Sequence, residues 1–120
     1  PPKPYNDINK IEIGGQLGKD AILEYLSGTK KAIVRVSLAS HRSWLDDTQQ
    51  LVKKTNWVDV VFRGETAEKA AQELRKGDQI KVNGALDYQE WQGKENKKGR
   101  KHEIAGFEYT IVRAGRNHSG

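Results

Sequence analysis

Three tryptophans and the cations around them are the residues best suited to chemistry. Trp44 follows Arg42, Trp57 lies just beyond Lys53-Lys54-Thr55, and Trp91 is followed by Lys94, Lys97, Lys98, Arg100 and Lys101. All three sit in polar, charged sequence rather than in apolar runs. A nucleobase has a π-face whatever its identity, so an exposed indole can stack on any base, at roughly 1–3 kcal/mol each. Nearby cations neutralise phosphates and make affinity salt-dependent. A lone tryptophan is more often half-buried in a core. Three of them, each flanked by loops or cations, favour stacking. Strict alternation puts Trp57 on one face with Asp59, Val61 and Arg63, read as the outer face. The candidate stacking rings are Trp44, Trp57, Trp91, Tyr88 and Phe62. The candidate phosphate contacts are Lys31, Arg35, Arg42, Lys53, Lys54, Arg63, Lys94, Lys97, Lys98, Arg100 and Lys101.

Other chemistries find little support. The absence of cysteine excludes disulfides, zinc knuckles and thiol catalysis together. His41, His102 and His118 have no metal-ligand spacing. Asp46-Asp47 reads as a turn rather than a catalytic pair. Gly14-Gly15-Gln16-Leu17-Gly18 resembles a dinucleotide loop but lacks the acidic residue and βαβ context of one. Its glycines are better read as letting a strand bend into barrel closure. Asn83-Gly84 reads as a kink within a strand rather than a hairpin turn. Asn117-His118-Ser119 matches a glycosylation sequon without any other sign of secretion. No serine or threonine carries a nucleophile motif. The expectation is a non-enzymatic binding protein with no cofactor and no metal. No stretch has the roughly 18 apolar residues of a membrane span, and Pro1-Pro2-Lys3-Pro4 lacks the apolar core of a secretion signal. Lysine plus arginine exceed aspartate plus glutamate by 21 to 16, a net charge of +5. That balance raises the odds of an anionic partner.

The elements that must position these residues are mostly strands. Alternation and β-branched residues predict strands over about Ile8–Leu17, Lys31–Ser40, Thr55–Arg63, Gln79–Trp91 and His102–Arg113. Val34, Val36 and Leu38 share one face of the second, and Ile80, Val82 and Leu86 point inward from the fourth. Ala67, Ala70, Ala71 and Leu74 fall at helical spacing, and Gly77 is placed to end that helix. Gly18–Leu26 fits a helix by pattern, but Ser27-Gly28-Thr29 favours a loop with a short extended piece. The order β-β-β-α-β-β is that of an all-β, five-stranded OB barrel with one helix between its third and fourth strands. Residues 1–7 read as an extended lead-in, 8–113 as the barrel domain and 114–120 as a short flexible tail. Trp91–Lys101 reads as a mobile basic hairpin loop flanking the binding groove.

Over about Ile8–Val112 the chain resembles the bacterial and organellar single-stranded DNA-binding protein family. The likeness is carried by Asn9–Gly18, Val36–Ser40 with Ser43-Trp44, Thr55–Val61, Gly64 to Glu68, Leu74–Gly84 and Trp91, in order and near family spacing. It implies an OB fold, usually a homotetramer formed partly through the first strands, with a dimer as the alternative. It implies sequence-tolerant binding of single-stranded DNA in replication, recombination and repair. Trp44, Trp57 and Trp91 match the family's stacking tryptophans. The implied location is the bacterial cytoplasm and nucleoid, or else a mitochondrion or plastid.

The departures are specific. Asp87-Tyr88-Gln89-Glu90 stands where the family often has arginines before the last tryptophan. Asp59 replaces a usual basic residue, and Arg63 stands where a stacking phenylalanine is common. The acidic, hydrophobic C-terminal tip that recruits replication and repair proteins is not seen in this sequence. Two rivals share the fold: a primosome-type adaptor acting in replication restart, and an RNA-binding OB or cold-shock-like module.

Overall fold

Alternating apolar positions become the inside of a closed barrel in the computed structural model of the chain. It describes residues 7–26, 28–92 and 98–115, with 91, 92 and 98 described by backbone alone. The elements are β1 (Ile11–Leu17), β2 (Leu23–Tyr25), β3 (Ala32–Leu45), β4 (Leu51–Arg63), α1 (Glu65–Glu73), β5 (Gln79–Gln92) and β6 (Lys98–Arg113). Neighbours run β1-β5-β6-β4-β3-β2, and β1 also pairs with β3. Five strands therefore close on themselves, and β2 is added at the edge of β3. The expected five-stranded OB barrel is present, and β2 is the short extended piece read within Gly18–Leu26. Among the described residues only the β4–β6 pairing is parallel.

The core is the inward row of each strand. Val34, Val36 and Leu38 of β3, Val60 and Phe62 of β4, and Ile80 and Val82 of β5 are all buried. Each such side chain contributes roughly 1.5–3 kcal/mol relative to exposure. Ala67, Ala70 and Leu74 join the same cluster and carry α1 onto the barrel. Where β1 closes on β3, a Cβ at Gly15 would lie 2.7 Å from the Ala39 carbonyl oxygen. A side chain there would push the seam apart, so the glycine serves closure rather than ligand binding.

Phe62 is not a stacking ring. It is fully buried, with its ring centroid 5.3 Å from that of Tyr109. Alternation turns it inward and its neighbour Arg63 out. Leu86, read as inward, stands on the row that continues the interior but is 47% exposed.

Several boundaries differ from the expected ones. β1 begins at Ile11, and Asn9 before it bonds the Leu86 backbone through both side-chain atoms, at 2.8 Å each. β3 runs on to Leu45 and β4 starts back at Leu51, so the pair forms a long hairpin arm. Past Ala39 the arm leaves the barrel, and both faces carry polar residues, which removes the apolar alternation although pairing continues. β5 and β6 extend likewise, so Lys98, Arg100 and Lys101 belong to a strand rather than a loop. The ladder shifts register between Asn83 and Gly84, which is the kink read there.

The helix ends at Glu73, before Gly77. Leu74 turns extended (ψ 128°) and is fully buried. Arg75 then bonds the carbonyls of Ala71, Gln72 and Leu74 at 3.0–3.2 Å, satisfying the helix C-terminus. Gly77, at φ 91°, serves the turn that follows.

Candidate nucleic-acid interface

The hairpin arm of β3 and β4 positions most of the candidate side chains. Its register is continuous from Ile33 opposite Arg63 to Leu45 opposite Leu51. One face therefore carries Ala39 with Trp57, His41 with Thr55, and Ser43 with Lys53. The other carries Arg42 with Lys54, and Trp44 with Val52. Trp44 and Trp57 lie on opposite faces of one ribbon.

Trp57 is 63% exposed and Trp44 40% exposed. The Trp57 ring is seated on the backbone at Gly18, where a Cβ would come within 2.8 Å of the ring carbon Cζ3. Any side chain at position 18 would displace the ring. The Arg42 guanidinium carbon stands 5.2 Å from the Trp44 ring centroid, within cation–π range. Between the two tryptophans a groove of about 500 Å³ is lined by His41, Arg42, Ser43, Lys53, Lys54 and Thr55. His41 Nδ1 and Thr55 Oγ1 are 2.9 Å apart across the strands. A larger depression, about 670 Å³, lies on the β1 side among Gly14, Gln16, Gln79 and Arg113, without an exposed aromatic.

The tip of the arm is built around Asp46. Its carboxylate accepts bonds from the Thr48 amide and hydroxyl and from the Gln50 amide, at 2.7–2.9 Å. The Gln50 amide foremost, and then the Thr48 hydroxyl, hold this carboxyl below the usual aspartate range. The turn reading of Asp46-Asp47 agrees with this arrangement.

The cations fall into two groups. Lys31, Lys53, Lys54 and Arg63 are exposed and have no ion-pair partner among the described residues. Arg35 and Lys101, expected as phosphate contacts, are instead engaged within the protein. Arg35 Nη1 donates to Glu103 Oε2 at 3.0 Å. Lys101 Nζ lies 3.6 Å from Asp59 Oδ2 and 3.7 Å from Glu103 Oε2. The Ser37 hydroxyl donates to Asp59 Oδ1 at 3.3 Å. The Glu103 side chain is 0% exposed beneath these cations, and its Oε1 has no hydrogen-bond partner among the described residues. Two carboxylates thus balance two cations on the Trp57 face.

The remaining candidates belong to the arm of β5 and β6. Tyr88 is 48% exposed, and its ring stands 5.2 Å from that of His102. Trp91 holds the register position opposite Gly99, Lys98 that opposite Gln92, and Arg100 that opposite Glu90. Lys94 and Lys97 lie outside the described residues, as do most of the N-terminal lead-in and of the C-terminal tail.

Sequence reasoning missed His41, Ser43 and Thr55 as groove residues. Their signal lies in cross-strand parity, which becomes readable only once the hairpin register is known. Among the described residues no three His, Cys, Asp or Glu side chains gather as a metal site. No described helix is long and apolar enough to cross a membrane.

Comparison with known proteins converges with this geometry. The profile of the single-strand binding protein family matches residues 8–111. Single-stranded DNA-binding protein 1 of Xylella fastidiosa (strain 9a5c) is 41% identical over 107 residues, covering 88% of this chain and 77% of that protein. A deletion variant of the single-stranded DNA-binding protein from Thermus aquaticus superposes with a TM-score of 0.78 at 25% identity. That match covers 92% of this chain, which spans about half (52%) of the Thermus aquaticus chain. Plasmodium falciparum SSB, in complex with ssDNA, has the same fold, with a TM-score of 0.76 at 24% identity over 93% of this chain and 99% of that one.

Proposed function

The chain belongs to the single-strand binding protein family, and from that premise we propose that it binds single-stranded DNA by wrapping the strand around the β3–β4 arm. One observation carries this reading. Two exposed tryptophans, one per face of the same ribbon, flank a stretch of the arm whose groove-lining lysines have no ion-pair partner among the described residues. Bases stack on Trp57 and Trp44, while Lys53 on one face and Arg42 and Lys54 on the other neutralise the phosphates between them. Arg63 and Lys31 extend the basic surface, and Tyr88 and Arg100, which share one face of the other arm, offer a second contact area. Stacking and charge read no base edges, so binding is sequence-tolerant. A duplex hides its base faces, so unpaired strands are preferred. Nothing in this mechanism makes or breaks a covalent bond.

The role proposed is protection of unpaired DNA during replication, recombination and repair, in the bacterial cytoplasm. The assembly proposed is a homotetramer, with a dimer as the alternative outcome. It is supported by the β1 edge, since among the described residues Ile11–Gly14 pair with β5 and with no other strand.

Titration of tryptophan fluorescence with oligo(dT), duplex DNA and oligo(U) at two salt concentrations tests the reading. Strong quenching by oligo(dT), weakened by salt, with little by duplex, is expected. Absence of quenching by oligo(dT) at low salt overturns it, and preference for oligo(U) moves the chain to the RNA-binding class.

A further inference from the structure

Building on that reading of the arm, we propose that Asp59 keeps Lys101 out of the phosphate path, so that the binding face carries a cation held in reserve. Asp59 follows Trp57 by two residues on the same face of β4. It is half exposed, is steadied by the Ser37 hydroxyl, and meets Lys101 Nζ at 3.6 Å. Lys101 is also 3.7 Å from Glu103 Oε2, an oxygen that already accepts from Arg35 at 3.0 Å. Glu103 is sealed from solvent, with Oε1 lacking a hydrogen-bond partner among the described residues. Arg35 is the closer partner of that Glu103 oxygen, so the contact that decides whether Lys101 can turn to a phosphate is the one with Asp59. Lys101 therefore stays on the protein while Asp59 holds it. A strand stacked on Trp57 meets net-neutral surface toward β6 and free lysines toward the arm tip, so it runs toward the tip. Asp59 is thus a residue that sets the route of the strand.

A double-mutant cycle with Asp59→Asn and Lys101→Gln tests this, read by oligo(dT) affinity and its salt dependence. Asp59→Asn is expected to tighten binding about two- to fivefold at low salt and to steepen the log–log salt slope by about 0.7, one added phosphate contact on a single strand. Lys101→Gln alone is expected to leave both nearly unchanged, and in the Asp59→Asn background to abolish the gain. The proposal is overturned if Lys101→Gln alone weakens binding as much as Lys53→Gln does. It is equally overturned if the Asp59→Asn gain survives the loss of Lys101, since the carboxylate would then act by simple repulsion. Failure of the wild-type chain to bind oligo(dT) removes the reading of the arm itself. Normal wild-type binding with an unchanged slope in Asp59→Asn removes only the role of Asp59.

Discussion

Trp57 meets its ligand with part of its ring already seated on the backbone at Gly18. A base can stack on the open side without any rotamer search, which keeps the entropy cost of binding low. Replacing either Trp57 or Trp44 by alanine is expected to cost roughly 1–3 kcal/mol of oligo(dT) affinity without lowering the denaturation midpoint. Phe62→Ala should do the reverse. It is expected to cost about 3–5 kcal/mol of stability, read by urea titration, because it empties a fully buried site. At this scale the sequence was legible where alternation was obeyed. The outward position of Trp57 follows from its neighbours, while Phe62 was misread because its aromatic type outweighed its parity. The pairing of Arg35 with Glu103 could not be read, since the partners lie 68 residues apart and meet only when the barrel closes.

The arm of β3 and β4 is the element on which the site depends, and its turn carries a pH dependence. The Asp46 carboxyl is held below its ordinary range by bonds that only the charged form can accept fully. The linkage has one sign. The turn's order is present above the ordinary aspartate range and is lost as pH falls through the lowered value. The protection factor of the Gln50 amide, followed by NMR exchange from neutral pH downward, should fall below about pH 4 while barrel amides stay protected. Asp46→Asn should show a low Gln50 protection factor at every pH. Barrel strands were legible as elements because each buries one apolar face. The reach of the arms was not, because a ribbon wet on both sides shows no period of two in its hydrophobicity.

Across the whole molecule the closure of five strands gathers the core, and one packing contact there also titrates. The Tyr109 hydroxyl bonds the Glu73 carboxylate and ties β6 to α1. Burial first, and then that carboxylate, push its pKa well above the usual tyrosine value. The unfolded chain releases this proton near pH 10, before the folded chain does. Stability is therefore full below about pH 10 and declines above it. Urea midpoints are expected to be level between pH 7 and 9 and to fall by pH 11, with Tyr109→Phe showing a shallower fall. Hydrodynamic mass addresses the open β1 edge, and a tetramer is expected. The barrel itself was legible from the order of its elements, whereas the β1–β3 seam rests on a backbone approach at Gly15 that only the closed structure reveals.

The uninterrupted register between Ile33 and Leu45 makes the few residues at the arm's tip into a phase-setter. A strand slipped by one position turns each of its side chains to the other face. Removing a single residue between Asp46 and Gln50 could thus trade the ring-bearing and lysine-bearing rows on one strand against those on its partner. All the binding side chains would survive, but they would no longer describe a continuous course for a polymer. The length of that small turn is then as much a part of the recognition surface as the indoles themselves, although no base need ever touch it.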